Sequence, residues 1–292
     1  MRTCDLMMRL GDSPMKWAAA VVAGAICTIV VGAQQPQLPL DPQRERGTSV
    51  TPAYEGWYPN ADGTFTLLLG YFNRNARQTL DIPVGPNNRI EPGIADQGQP
   101  THFELGRQWG VFTIKVPKDF GTKTLTWTIV SNGDTQSIPL TLKKSYTIAP
   151  FKEIGMGNTP PVLSFSPGGA KLTGPPVGIG ATLSGRVNQP VAVAVWVEDH
   201  KSPDQEPAGG RGRGGASVAQ LSFHKFRGPG RVTFDPARAS APVQSAKVTT
   251  NATFDAPGDY ILRVQANDES GEGGGGFQCC WTNAHVKVSV QP

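Results

Sequence analysis

Apolar and polar residues alternate one by one along most of this chain, in short runs broken by glycine and proline. Phe65, Leu67, Leu69 and Tyr71 mark one such run, Val111, Phe112, Ile114 and Val116 a second, and residues 124–130 a third around Trp127. A period of two belongs to a strand whose successive side chains point to opposite faces. The run ending at Val130 is followed by Asn132-Gly133, the pair that a tight hairpin favours, so residues 135–142 are expected to fold back on it. Residues 82–106 carry Pro83, Pro86, Pro92 and Pro100, which exclude a central strand over most of that stretch. A second series of runs covers residues 189–197, 218–226, 231–234, 248–254, 260–266 and 284–290. Between the two series, Asn158-Thr159-Pro160-Pro161, Ser166-Pro167-Gly168-Gly169 and Gly174-Pro175-Pro176 break any long ladder, which marks a domain boundary.

Short strands separated by turns suit two stacked sheets that bury their dry faces against each other. The predicted fold class is all-β, two immunoglobulin-like β-sandwiches in tandem after a signal peptide. A length of 292 residues is enough for two such domains, and 38% hydrophobic with 17% charged residues marks a folded chain. Thirty-five glycines and 26 prolines favour turns over helices. The boundaries read as signal 1–33, Pro/Gln-rich leader 34–50, first sandwich 51–148, linker and entrance 149–180, and second sandwich 181–292. The leader is too poor in apolar residues to fold alone, and it either tethers or dangles.

The export reading rests on Arg2, Arg9 and Lys16 before the apolar run 18–32, with Val31-Gly32-Ala33 as a cleavage site. Met15 is an alternative start. That run is shorter than the roughly 20 residues a membrane-spanning helix needs, so an uncleaved anchor is the alternative and the sole membrane contact foreseen. Ile26 before Cys27 argues against lipidation. The destination is periplasmic, cell-surface or secreted. Removal of the signal takes Cys4 and Cys27 with it and leaves Cys279 and Cys280, which is no disulfide scaffold. A formal charge of +4 without basic residues interleaved with aromatics excludes nucleic acid as a partner.

Several segments of the second half carry a family resemblance: Asn158-Thr159-Pro160-Pro161, Phe226-Arg227-Gly228-Pro229-Gly230, and Thr253-Phe254-Asp255-Ala256-Pro257-Gly258-Asp259-Tyr260 before Asn267-Asp268. Over residues 158–290 the chain resembles the polycystic-kidney-disease (PKD) type of immunoglobulin-like domain found in exported bacterial proteins. The resemblance implies a spacer, adhesion or binding module without catalysis. It also implies a corner contact by Tyr260. Where the family often has Trp early in the middle strand, Ser222-Phe223-His224 stands here, so Phe223 is expected in the core.

Catalytic signatures are missing: there is no Gly-x-Ser-x-Gly elbow, His-Glu-x-x-His helix or Walker loop, and the chain is read as no enzyme. His102, His200, His224 and His285 lack metal-ligand spacing and read as surface or packing residues. Adjacent Cys279 and Cys280 form either a vicinal disulfide, which requires a distorted turn, or a reduced or intermolecular pair. Beside them, Phe277 and Trp281 would complete a platform for a sugar or flat ligand, with Arg211 and Arg213 from the facing loop. The plainer reading is that the pair pins the last strand. Loops 198–217 and 267–283 are expected at one end of the second sandwich. They gather Glu198, Asp199, Asp204, Asp268, Glu269 and Glu272, so calcium is the one cofactor weighed against none. The partner expected is a protein or glycan of the cell envelope or extracellular matrix. The leading function is a non-catalytic structural, adhesion or interaction protein of that envelope. A ligand-binding module at the loop end and a redox protein using the cysteine pair are the alternatives.

Overall fold

The computed structural model describes residues 44–153, 157–199, 218–242, 246–268 and 280–292. Among them no α-helix occurs, and strands carry the fold as the alternation predicts.

The first half contains β1 (Val50–Pro59), β2 (Phe65–Asn73), β3 (Leu80–Asp81), β4 (Asn88–Glu91), β5 (His102–Phe103), β6 (Gly106–Val116), β7 (Leu125–Ser131) and β8 (Asp134–Leu140). One sheet has the order β1-β2-β6, the facing sheet β4-β7-β8, and β3-β5 form a small ribbon. Leu67, Leu69, Phe112, Ile114, Trp127 and Ile129 fill the space between the sheets, and the Trp127 ring meets Phe112 edge-on at 5.0 Å. The Asn132-Gly133 hairpin forms as expected, with Ser131 paired to Asp134 and both turn residues at positive φ (50° and 86°). Strand β4 lies inside the proline-rich stretch and takes an edge position, where prolines nearby are tolerated. The end of the predicted leader does not dangle. Ala76 and Arg77 donate to the carbonyls of Arg44 and Glu45, and Val50 is fully buried in the core.

The second half contains β9 (Val162–Ser164), β10 (Leu172–Thr173), β11 (Ile179–Arg186), β12 (Val191–Glu198), β13 (Val218–Arg227), β14 (Val232–Asp235), β15 (Arg238–Pro242), β16 (Ala246–Phe254), β17 (Gly258–Asn267) and β18 (Trp281–Gln291). Its sheets have the orders β10-β9-β12-β16-β14 and β11-β18-β17-β13-β15, with β11 parallel to β18 and the other pairs antiparallel. The inner faces meet through Val193, Val195, Phe223, Phe254, Leu262, Val264 and Val286. Phe223 is therefore the core aromatic foreseen. Tyr260 makes the corner contact: its hydroxyl donates to the Ala256 carbonyl (2.8 Å) and accepts from the Gly230 N–H (3.1 Å). Strands β9 and β10 fall within the segment read as linker and entrance.

Candidate functional site

At the loop end of the second sandwich, the described residues are already engaged. Glu198 pairs with Lys171 at 2.7 Å, Asp199 is half-buried, and buried Asp268 accepts a short hydrogen bond from Asn158 Nδ2. No group of three or more His, Cys, Asp or Glu side chains among the described residues is arranged to hold a metal ion. Asp204, Glu269 and Glu272 lie outside the described residues, as do Arg211, Arg213, Phe277 and Cys279. Cys280 is buried and disulfide-bonded. Trp281 is 1% exposed, so it presents no platform to a ligand. Trp281 packs against Gly110 of the first sandwich.

That packing defines the centre of the molecule. Opposite Gly70 of β2, strand β6 bulges through Trp109-Gly110-Val111, with Gly110 at φ +52°. A Cβ added to Gly110 would sit 1.8 Å from Trp281 Cη2, so only glycine permits this approach. The next outward positions of β18 repeat the contact at every second residue. Asn283 Nδ2 donates to the carbonyls of Trp109 (3.0 Å) and Gly110 (3.1 Å), and His285 Nε2 donates to that of Val111 (3.2 Å). From β17, buried Arg263 donates a short hydrogen bond to Gln108 Oε1. Beneath the bulge, the Glu55 carboxylate accepts the Gly110 N–H (2.9 and 3.0 Å) and Arg107 Nη2 (2.9 Å), while the Arg107 guanidinium lies 3.9 Å over the Trp109 ring. Burial pushes the Glu55 carboxyl up, and Arg107 and the Gly110 N–H oppose that push.

Toward one side, β13 continues the junction. Phe226 inserts into the core of the first sandwich and stacks near His285, with ring centres 4.3 Å apart. Arg227 pairs with Asp96 at 2.7 Å, and buried Lys225 with Asp81 at 2.9 Å. His102 bridges Asp81 (2.9 Å) and Glu104 (3.5 Å), and His224 Nδ1 lies 3.8 Å from the same Glu104 oxygen. Burial alone would lower His102, but Asp81 and Glu104 raise it above its ordinary value. Burial would raise Glu104, yet the adjoining imidazoles hold it well below the usual carboxylate range. His224 and His285 are both pushed down by burial, with Arg263 adding to each, and His285 reaches about 4.

Sequence reasoning placed the interest at the loop end and missed this face. The signal was present in the strands: Arg263 and Gln265 interrupt Leu262, Val264 and Ala266, and Asn283 and His285 precede the apolar series of β18. Alternation of that kind ordinarily means a solvent-facing side, whereas here Arg263, Gln265 and Asn283 are each at most 2% exposed. His102, His224 and His285 are half-buried at this junction, and His200 lies outside the described residues. Tyr58 is buried, and Trp57 is half-buried with Nε1 donating to the Lys143 carbonyl at 2.9 Å.

No protein-family model matches this chain, and no curated protein matches it. The PKD-type resemblance thus stands on the residues quoted for it. Solved structures similar to the chain include WR4, a C. elegans MSP family member, at 9% identity and TM-score 0.24, covering 38% of this chain and 92% of that one. The adhesin InvE of Yersinia pseudotuberculosis shows 10% identity and TM-score 0.25, over 83% of this chain and 58% of that one. The D00-D0 domain of intimin shows 11% identity and TM-score 0.28, over 84% of this chain and all of that one. Scores this low assign no function, and the sandwich fold rests on the sheet orders themselves.

Proposed function

We infer that the chain is an exported, non-catalytic structural, adhesion or interaction protein of the cell envelope, with its two sandwiches acting as a single stiff arm. The observation that carries this reading is the junction. The outward side chains at the centre of one sheet, on β17 and the start of β18, are spent on the neighbouring sandwich, with Trp281 seated on Gly110 and Asn283 on the bulge carbonyls. An interface built this way resists the hinge motion that separate domains ordinarily allow. Stiffness serves a protein that holds something at a distance or transmits force, and it offers little to a catalyst that must open and close. The PKD-type assignment of the second sandwich, supported by the Tyr260 corner, fits the same role. So does a bridge between Cys279 and Cys280 that pins the start of β18. Described residues include no helix long and apolar enough to cross a membrane.

Distances between spin labels placed on Asp134 and Ser289 test the reading. A single narrow distribution, unchanged by viscosity or by ionic strength, is the expected result. A broad or bimodal distribution would remove the stiff arm. Turnover of a glycan, peptide or ester by the purified protein, abolished by a point change, would remove the non-catalytic role.

A further inference from the structure

Where the sandwiches part company on the Gln108 side of the junction, they leave a cleft of about 350 Å³. Its first wall is Arg107 and Gln108 at the start of β6; its second is Gln220, Ser222 and His224 of β13, with Arg238 of β15 and Asn267 at the end of β17. Among the described residues the lining combines guanidinium groups from both sandwiches with amides, an imidazole and a hydroxyl beside Leu105 and Leu221, and it includes no carboxylate. Glu55 lies behind Arg107, and Glu104 is held by the two imidazoles. Arg238 is exposed and has no ion-pair partner among the described residues. Gln220 accepts from Ser240 through Oε1 (2.9 Å) and Asn267 accepts from Gln265 through Oδ1 (3.3 Å), so each is oriented by its oxygen, and among the described residues its amide N–H groups have no hydrogen-bond acceptor.

The geometry points to a binding site for an acidic saccharide in this cleft. Arg238 matches a carboxylate, which a guanidinium can hold through two parallel hydrogen bonds, while Arg107 opposite is paired with Glu55 and bounds the cleft. Fixed amide donors at Gln220 and Asn267 and the Ser222 hydroxyl match the hydroxyl groups around a sugar ring. A predominantly polar wall excludes apolar small molecules, which need apolar enclosure. The volume admits a short oligosaccharide end rather than a folded surface. Because both walls contribute, a stiff junction keeps the cleft formed before the ligand arrives and spares it that ordering cost.

This inference rests on the envelope-interaction reading, and the two can fail separately. Titration calorimetry of the full chain with digalacturonate is expected to show saturable binding that weakens as salt rises. Lactose, of similar size and without a carboxylate, should bind at least about tenfold more weakly, and Arg238→Gln should lose about tenfold or more for digalacturonate, with an unchanged thermal midpoint because Arg238 is exposed. Three results would overturn the site: no heat with millimolar digalacturonate, equal affinity for lactose, or an equal loss in Arg186→Gln, which removes a charge on β11 outside the cleft. Preferential binding of a polyglutamate peptide would overturn it as well. A chain that keeps its narrow label distances but binds no uronate loses the saccharide site and keeps the arm.

Discussion

The sheet β11-β18-β17-β13-β15 buries its inner face and the centre of its outer face by different chemistry. Inward it presents Leu221, Phe223, Leu262, Val264, Val286 and Val288, whose burial needs only shape and contact. Outward it presents His224, Arg263, Gln265, Asn283 and His285, buried almost as deeply against the first sandwich. Polar groups removed from water require partners in fixed directions, and this face meets the carbonyls of a bulge and the amide of Gln108. The apolar face confers stability that tolerates some repacking, while the polar face confers orientation and tolerates little.

If that contrast is right, the largest loss comes from the dry side. Phe254 is fully buried between the sheets beside Tyr260, with ring centres 4.7 Å apart. Phe254→Ala should destabilise the protein by about 4 kcal/mol. Urea denaturation followed by tryptophan fluorescence would measure it, and a loss under about 1 kcal/mol would show that the apolar face is not the main source of stability.

At the junction, a single methyl group should weigh nearly as much. Gly110→Ala places a Cβ in the Trp281 ring at a residue with φ +52°, combining overpacking with a left-handed backbone cost, for about 3 kcal/mol in all. Unlike the core change, it should also separate the sandwiches. Small-angle scattering should show a larger radius of gyration, and denaturation should resolve into two transitions. One unbroken transition at the original midpoint would mean that Trp281 shifts aside without consequence.

The strands that build both faces were legible because single alternation survives in residues 65–71, 248–254 and 260–266, and Asn132-Gly133 fixes its own hairpin. Strand β1 was not, since Pro52, Gly56 and Pro59 imitate a loop, and β11 was hidden by Gly180, Ser184 and Gly185. The junction was illegible for a deeper reason. A polar residue at every second position looks the same whether water or another domain covers it, and the glycine that receives Trp281 lies 171 positions earlier in the chain. The loop end drew notice because its composition is unusual, which is a property of sequence and not of packing.

Acidification should probe the polar face selectively. Burial lowers His285 from its ordinary value of 6.5 to about 4, so the folded state keeps it neutral while the unfolded chain takes up a proton. Above the unfolded value both states are neutral and nothing is lost. Stability then falls as pH drops from about 6.5 to about 4, by roughly 3 kcal/mol at most, and no further below. His224, also lowered, acts in the same direction; His102 and Glu55, raised in the fold, act in the opposite one. The difference between wild type and His285→Gln, measured by urea unfolding at pH 7 and pH 4.5, cancels the contributions of those other groups. Glutamine keeps a donor for the Val111 carbonyl and does not titrate, so the variant should lose less stability on acidification. Equal losses in both proteins would place His285 in contact with water.

The smallest effect expected is the most diagnostic. Asn283→Ala deletes two hydrogen bonds to the bulge, yet it also removes the Asn283 Oδ1, a buried acceptor with no hydrogen-bond partner among the described residues. The gain and the loss partly cancel, and the net cost should be about 1 kcal/mol. Asn283→Asp has nearly the same shape but turns the donor into a second acceptor facing the Trp109 and Gly110 carbonyls, and it should cost at least twice as much. If the interface merely filled space, the alanine variant would be the worse of the two, because it leaves the larger cavity. The order of the two denaturation midpoints therefore separates an interface held by direction from one held by bulk.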